Sequence, residues 1–395
     1  MNRRAFLQYT GITSTSLLMP GFLKAFERNA FEHMGKRLVI VQLSGGNDGL
    51  NTCVPFSNPL YYSARPKLAI PKNEILKLND DFGFHPAFGG LRQLFDDAEL
   101  AVYHGVGYPN PDRSHFRSTD IWHTASDSSE YLNTGWLGRL LDSNCAGSEH
   151  PWFALEVDDT LSLAMKGKEK SGFAVKNPAR LNKSLQDPMI ESLAMPQDAE
   201  LDSERSFLYK TLISTRNGAE YIAEKAEIKT SGNNYPQHEF GQSLKQIASF
   251  IGNGLQSGIY YTSLSGFDTH VRQAETQQRL LKILGDSLLQ FRNDLKKAGE
   301  WNNTLVMVFS EFGRRVKQNA SNGTDHGTAN QVYLLGGALK NSGFRNKAVS
   351  LDDLNEGDLK HHLDFRCIYG SMLDQFMNFD SKLVLGRPFE SLDFI

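Results

Sequence analysis

The stretch 36–49, KRLVIVQLSGGNDG, decides how the fold is read. Five of its first eight residues are apolar, Leu38 to Val41 in one unbroken run, the pattern of a strand buried on both faces of a parallel sheet. The run stops at a turn built from glycine and asparagine, and Asp48 lies just past it. Working outward, HPAFGGLRQLFDDAE (85–99) predicts a helix and LAVYHGVG (100–107) a second buried strand. GIYYTSL (258–264) reads as a strand, and Leu281, Leu284, Leu288, Phe291 and Leu295 recur at helical spacing within 273–298. NTLVMVFS (303–310) and NQVYLLGG (330–337) add two more strands. Alternating strands and helices predict an α/β fold with an open, largely parallel sheet flanked by helices. The polar, proline-broken segment 165–245 is expected to form a helical insertion or cap, and no tandem repeat appears.

The chain has 395 residues, 40% hydrophobic and 22% charged, enough for a sizeable core, and residues 36–395 are read as one domain. A formal charge of -3, with lysines and arginines scattered, argues against a nucleic-acid partner. Cys53, Cys145 and Cys367 are far apart and odd in number, so they are read as structural thiols. Residues 1–30 differ in character. Arg3 and Arg4 precede a weakly apolar stretch too short and interrupted for a comfortable membrane span. RRAFL resembles a twin-arginine export signal, which implies the twin-arginine machinery as a partner and a periplasmic or exported location. No other stretch is apolar enough to cross a bilayer as a helix.

Ligands of open α/β sheets gather beyond the carboxyl ends of the strands. Asp48 follows the first strand, Asp268 and His270 follow the 258–264 strand, and Glu311 follows 303–310. Asp325 and His326 precede the last strand, after a flexible NASNGT loop (319–324). Taken singly, each has a plain reading as a turn cap, a core histidine or an ion-pair partner of Arg314 or Arg315. Taken together they would repel one another or be stranded without a cation, which a divalent metal supplies. Mixed oxygen and nitrogen donors suit zinc, manganese or iron better than calcium, with zinc or manganese the expected ion. Arg113, Arg117, Arg314 and Arg315 are the cations available to an anionic substrate. Ser114, at an expected helix start, is the nucleophile candidate, with helix capping by Ser114 or Asp112 as the plain alternative. His115 and Asp120 are weaker acid-base or ligand candidates, while His104 and His123 read as structural. GxSxG, HExxH and a dinucleotide-binding glycine pattern are all missing.

The motifs LVIVQLSGGNDGLNTCVP, RSHFRSTDIW, SGFDTH, VFSEFGRR and DHGTANQVYLLGG resemble a family of twin-arginine-exported bacterial proteins. That family in turn looks like a distant relative of the alkaline phosphatase and sulfatase superfamily. The resemblance implies an alkaline phosphatase-like fold in which Asp48, Asp268, His270, Glu311 and His326 serve a metal and Ser114 stands at the nucleophile position; by their place in the sequence Asp325 joins the metal set, and His115 and Arg113 join Ser114 as catalytic candidates. Phe312 stands where the histidine of an Asp-His pair would be, so one metal site is expected rather than two. The expected function is an exported metal-dependent hydrolase of a phosphate, sulfate or related anionic ester, acting on an anionic small molecule or envelope polysaccharide. The alternative is an exported binding or assembly protein that keeps the fold without catalysis.

Overall fold

The computed structural model describes residues 35–143, 151–193, 215–226 and 234–395. The export signal read at 1–30 and Cys145 lie outside these residues, as do 194–214 and 227–233 of the expected insertion. The described part of that insertion carries the short helices Pro178–Leu185 and Pro188–Leu193, a helical segment over 215–225 and the start of the helix Glu239–Gly252.

A nine-stranded sheet runs through the molecule. Its strands are β1 (Arg37–Ser44), β2 (Leu100–Gly107), β3 (Ala154–Glu156), β4 (Phe173–Ala174), β5 (Ile259–Ser265), β6 (Thr304–Phe309), β7 (Asn330–Leu335), β8 (Gly343–Phe344) and β9 (Leu363–Asp364). The order is β8-β2-β7-β6-β1-β5-β3-β4, with β9 also paired to β2. β1 lies at the centre, parallel to β5 on one side and β6 on the other, as its unbroken apolar run requires.

All of these strands point the same way except β7, which pairs antiparallel with both β6 and β2. The reason is local. A parallel return needs a long crossover, usually a helix, whereas residues 310–329 contain no helix and fold straight back on themselves. Arg314 and His326 form an antiparallel bridge in that return. The beginning of β7 is thereby brought to the same sheet edge as the ends of its neighbours.

Helices cover both faces. On one, α2 (His115–Thr124), α3 (Trp136–Ser143) and α6 (Phe365–Ser371) pack against Leu38 and Ile40 of β1. On the other, α1 (Gly89–Asp96), α4 (Glu239–Gly252) and α5 (Gln273–Lys297) pack against Val39, Val41 and Leu43. Strand alternation thus feeds two cores from one segment, each fully buried large apolar side chain contributing roughly 1.5–3 kcal/mol. Cys53 and Cys367 are free and buried. Among the described residues no helix is long and apolar enough to cross a membrane.

Candidate metal centre

Four connections at the carboxyl edge of the sheet supply the site. After β1 the chain turns through Gly45 and Gly46, both at positive φ (116° and 76°). A Cβ on Gly45 would lie 2.4 Å from the Asp268 backbone nitrogen, and one on Gly46 would lie 2.3 Å from the Phe312 ring. Only glycine lets this turn pass so close to the segments that follow β5 and β6. The Gly45 N–H then donates to Glu311 Oε1 at 2.8 Å, fixing a wholly buried carboxylate at the end of β6.

Three imidazoles meet at Asp268. His115 Nε2 lies 3.5 Å, His270 Nε2 3.0 Å and His326 Nε2 3.3 Å from Asp268 Oδ1. His270 Nε2 is also 3.0 Å from His326 Nε2. In every ring the other nitrogen faces an acceptor. His115 Nδ1 donates to Glu311 Oε1 (2.9 Å), His270 Nδ1 to Asp325 Oδ1 (3.2 Å), and His326 Nδ1 to the Arg113 carbonyl (2.8 Å). A proton held on each Nδ1 leaves three Nε2 lone pairs pointing at a carboxylate oxygen and at one another. The Nε2 atom of His115 is buried without a hydrogen-bond partner.

This donor set fits a metal ion. Ligands about 2.0–2.2 Å from a tetrahedral zinc stand about 3.3 Å apart, which is the spacing found around Asp268 Oδ1. One donor atom from each of His115, Asp268 and His326 lies within 4.8 Å of the other two, and these three form the candidate site. His270 touches two of the three. Acceptors behind metal-binding histidines fix ring orientation and tautomer, the arrangement that Glu311, Asp325 and the Arg113 carbonyl provide here. The Asp268 side chain is half exposed, so one side of the cluster is open to solvent.

Charge in the cluster follows from its neighbours. Burial pushes the Asp268 carboxyl up, but the hydrogen bond and charge of Arg314, with His326 and His270, outweigh it and bring the group down to about 2. The hydrogen bond from Asn319 lowers Asp325, with help from His270. The Glu311 hydrogen bond raises His115, while burial lowers His326. Phe312, buried, packs its ring against those of His115 and His326 at 4.9 and 4.8 Å between centroids.

The structure sorts the residues singled out in the sequence. Asp268, His270, Asp325 and His326 come together, and Glu311 joins them through His115, one of the weaker acid-base or ligand candidates, which lies among the candidate ligands. Asp48 is engaged elsewhere. Its Oδ2 accepts from Arg65 at 2.5 Å and from Gln273, and the Asp48–Arg65 pair is fully buried. Arg65 carried no signal in the sequence, because nothing marks an arginine in a proline-rich loop as the partner of a strand-end aspartate. Ser114 is exposed at the N-cap of α2 and makes no side-chain capping bond; its N–H donates to Asp112 Oδ1 at 2.6 Å. The Arg113 guanidinium turns to Asp358. His123 is buried on Gln42 and Tyr261, and burial takes it down to about 4. The 319–324 loop, read as flexible, is organised by Asn319, which donates to the His270 carbonyl and accepts from Ser321 and Gly323.

Fold and site together define an α/β protein with a mixed sheet and a candidate His/Asp/His metal centre at the carboxyl edge of its strands. Residues 35–351 match the family described as "Protein of unknown function (DUF1501)", and the chain belongs to that family. No curated protein matches the sequence. Among solved structures, a lipoteichoic acid synthase from Listeria monocytogenes aligns at 12% identity and a TM-score of 0.35, over 79% of this chain and 68% of its own. A sulfatase from Pseudoalteromonas sp. aligns at 10% identity and 0.40, over 93% and 74%. A protein of the alkaline phosphatase superfamily from Vibrio parahaemolyticus aligns at 10% identity and 0.36, over 90% and 70%.

Proposed function

We propose that this chain is an exported, metal-dependent hydrolase of a phosphate, sulfate or related anionic ester, with one zinc or manganese site rather than two. The observation that carries the reading is the convergence of three Nε2 atoms on Asp268 Oδ1, each ring anchored through Nδ1. His115, His270, His326 and Asp268 would hold the ion, and Asp48 stands outside the set. When bound, such an ion lowers the pKa of a coordinated water and polarises a phosphoryl or sulfuryl oxygen.

The chain's own groups prepare that chemistry. Glu311, Asp325 and the Arg113 carbonyl keep the rings oriented and their Nε2 lone pairs available. Arg314 keeps Asp268 anionic. Ser114 holds an exposed hydroxyl at the start of α2, where first-turn N–H groups can receive an oxyanion. The leader at 1–30, with Arg3 and Arg4, supports export to the periplasm, and an anionic small molecule or envelope polysaccharide is the proposed substrate.

Elemental analysis of the protein purified from its exported compartment should give about one tightly held ion per chain. A panel of aryl phosphate and sulfate esters should then show turnover that H115A and H270A abolish together with metal retention. Turnover unchanged in both variants would overturn the reading. Phe312, an apolar ring where a second site would need a ligand, favours one alternative: a non-catalytic binding or assembly protein with a structural metal. Full metal occupancy without turnover of any ester in the panel would select it.

A further inference from the structure

Four arginines lie on the segments that carry the centre, and they are not equivalent. Arg314 is buried, its guanidinium spent on the carbonyls of Gly45, Gly46, Phe267 and Thr324 and on Asp268. Arg117 is buried on the carbonyls of Asp127, Ser128 and Glu130, with its guanidinium over the Tyr131 ring. Arg113 and Arg315 remain 36% and 38% exposed. Both lean on one carboxylate. Asp358, 1% exposed in the hairpin formed by Leu354–Asn355 and Asp358–Leu359, contacts Arg113 directly and has Arg315 Nε at 3.7 Å. Neither oxygen of Asp358 makes a well-formed hydrogen bond.

We propose that Arg113 and Arg315 form an anion subsite beside the metal centre, so that the ligand of the centre carries a second anionic group: a carboxylate, phosphate or sulfate. This rests on the hydrolase reading above and names its substrate class more closely, as a compound with two or more anionic groups.

Two guanidiniums share one buried carboxylate, and the other acids near them, Asp325 beside Arg315 and Glu356 beside Arg113, are exposed. Each guanidinium has five N–H donors, and only one edge of each turns toward Asp358. More than a third of each side chain is exposed, which leaves donors open to the carboxylate, phosphate and sulfate oxygens that guanidiniums recognise. Glu356 also approaches Arg113, at 3.7 Å, but its side chain is 78% exposed, and such a screened pair yields to a better-placed anion. The pair is tied to the centre by the backbone. Arg113 precedes His115 by two residues and offers its carbonyl to His326; the Arg315 N–H donates to the carbonyl of Asp325, next to His326. Anchoring at Asp358 pre-organises both side chains and reduces the entropy lost on binding.

The test uses the zinc-loaded full chain at low ionic strength and two calorimetric titrations. Propylphosphonate offers one anionic group; 3-phosphonopropionate has the same three-carbon chain with the terminal methyl replaced by a carboxylate. The diacid is expected to bind about tenfold more tightly, and R113Q and R315Q should each bring that ratio towards one. A ratio near one in the unaltered protein, or an undiminished ratio in both variants, overturns the subsite. Zinc content and propylphosphonate binding in the same samples report separately on the metal reading. If zinc is not retained, the same ratio measured on the metal-free protein decides the arginine pair on its own.

Discussion

Glu311 Oε1 accepts two hydrogen bonds at once, from the Gly45 N–H at 2.8 Å and from His115 Nδ1 at 2.9 Å. The end of β6 thereby locks the turn after β1 to the first residue of α2. Glu311→Gln keeps the volume but weakens the charge that orients the imidazole, and loss of such an outer partner typically lowers metal affinity 10–100-fold. Competition against a chromophoric chelator should show that loss, while the circular dichroism spectrum stays that of the parent. Unaltered affinity would mean that His115 needs no orienting partner.

How much of this was legible in the sequence depends on the range of the contacts. β1, β2, β5 and β6 were readable because a strand buried on both faces must be written as a local apolar run. β7 was visible as a strand but not as an antiparallel one, since its direction depends on the return through Arg314 and His326. The site was legible where acid and imidazole lie beside strand ends, as at Asp268, His270 and His326. It was not legible where a partner is set by tertiary packing. Asp48 and Arg65 lie in different loops, and nothing local in SGGNDG says that its aspartate will be met by a guanidinium rather than by an ion.

That buried pair makes its own prediction. Asp48→Ala leaves Arg65 charged, fully buried and short of its partner, and breaking such a pair from one side costs about 3–5 kcal/mol. Urea denaturation should show this loss. The double variant D48L/R65M, which removes both charges, should recover a large part of it. Zinc content per folded chain should stay unchanged in either variant. Its disappearance in D48A protein that is still folded would return Asp48 to the ligand set.

Gly45 tests how closely the β1 turn is fitted to the centre. An alanine there meets the Asp268 backbone nitrogen at 2.4 Å and must also adopt φ near 116°, so either the turn or the segment carrying Asp268 has to move. Gly45→Ala should therefore lower both the melting temperature and the affinity for zinc. Gly254→Ala is the comparison: its φ is also positive (73°), but its Cβ meets nothing within 4 Å. That variant should lose some stability and bind zinc as before. Equal losses of zinc affinity in the two would rule out a close-approach role for Gly45.

Glu156 supplies a pH dependence away from the centre. It ends β3 with 4% exposure, its Oε2 accepting the Ser162 N–H at 2.7 Å, and burial raises its carboxyl from 4.5 to about 7. Between those values the folded chain keeps the proton that the unfolded chain releases, so folding stability falls as pH rises through this window and levels off above it. The span corresponds to about 3 kcal/mol. Glu156→Gln retains an acceptor for Ser162 and cannot ionise. It should be more stable than the parent at pH 8 by up to about that amount and indistinguishable from it near pH 4. Urea midpoints measured across that range check the sign. A variant less stable than the parent at pH 8 would show that the ionised carboxylate is satisfied in the fold.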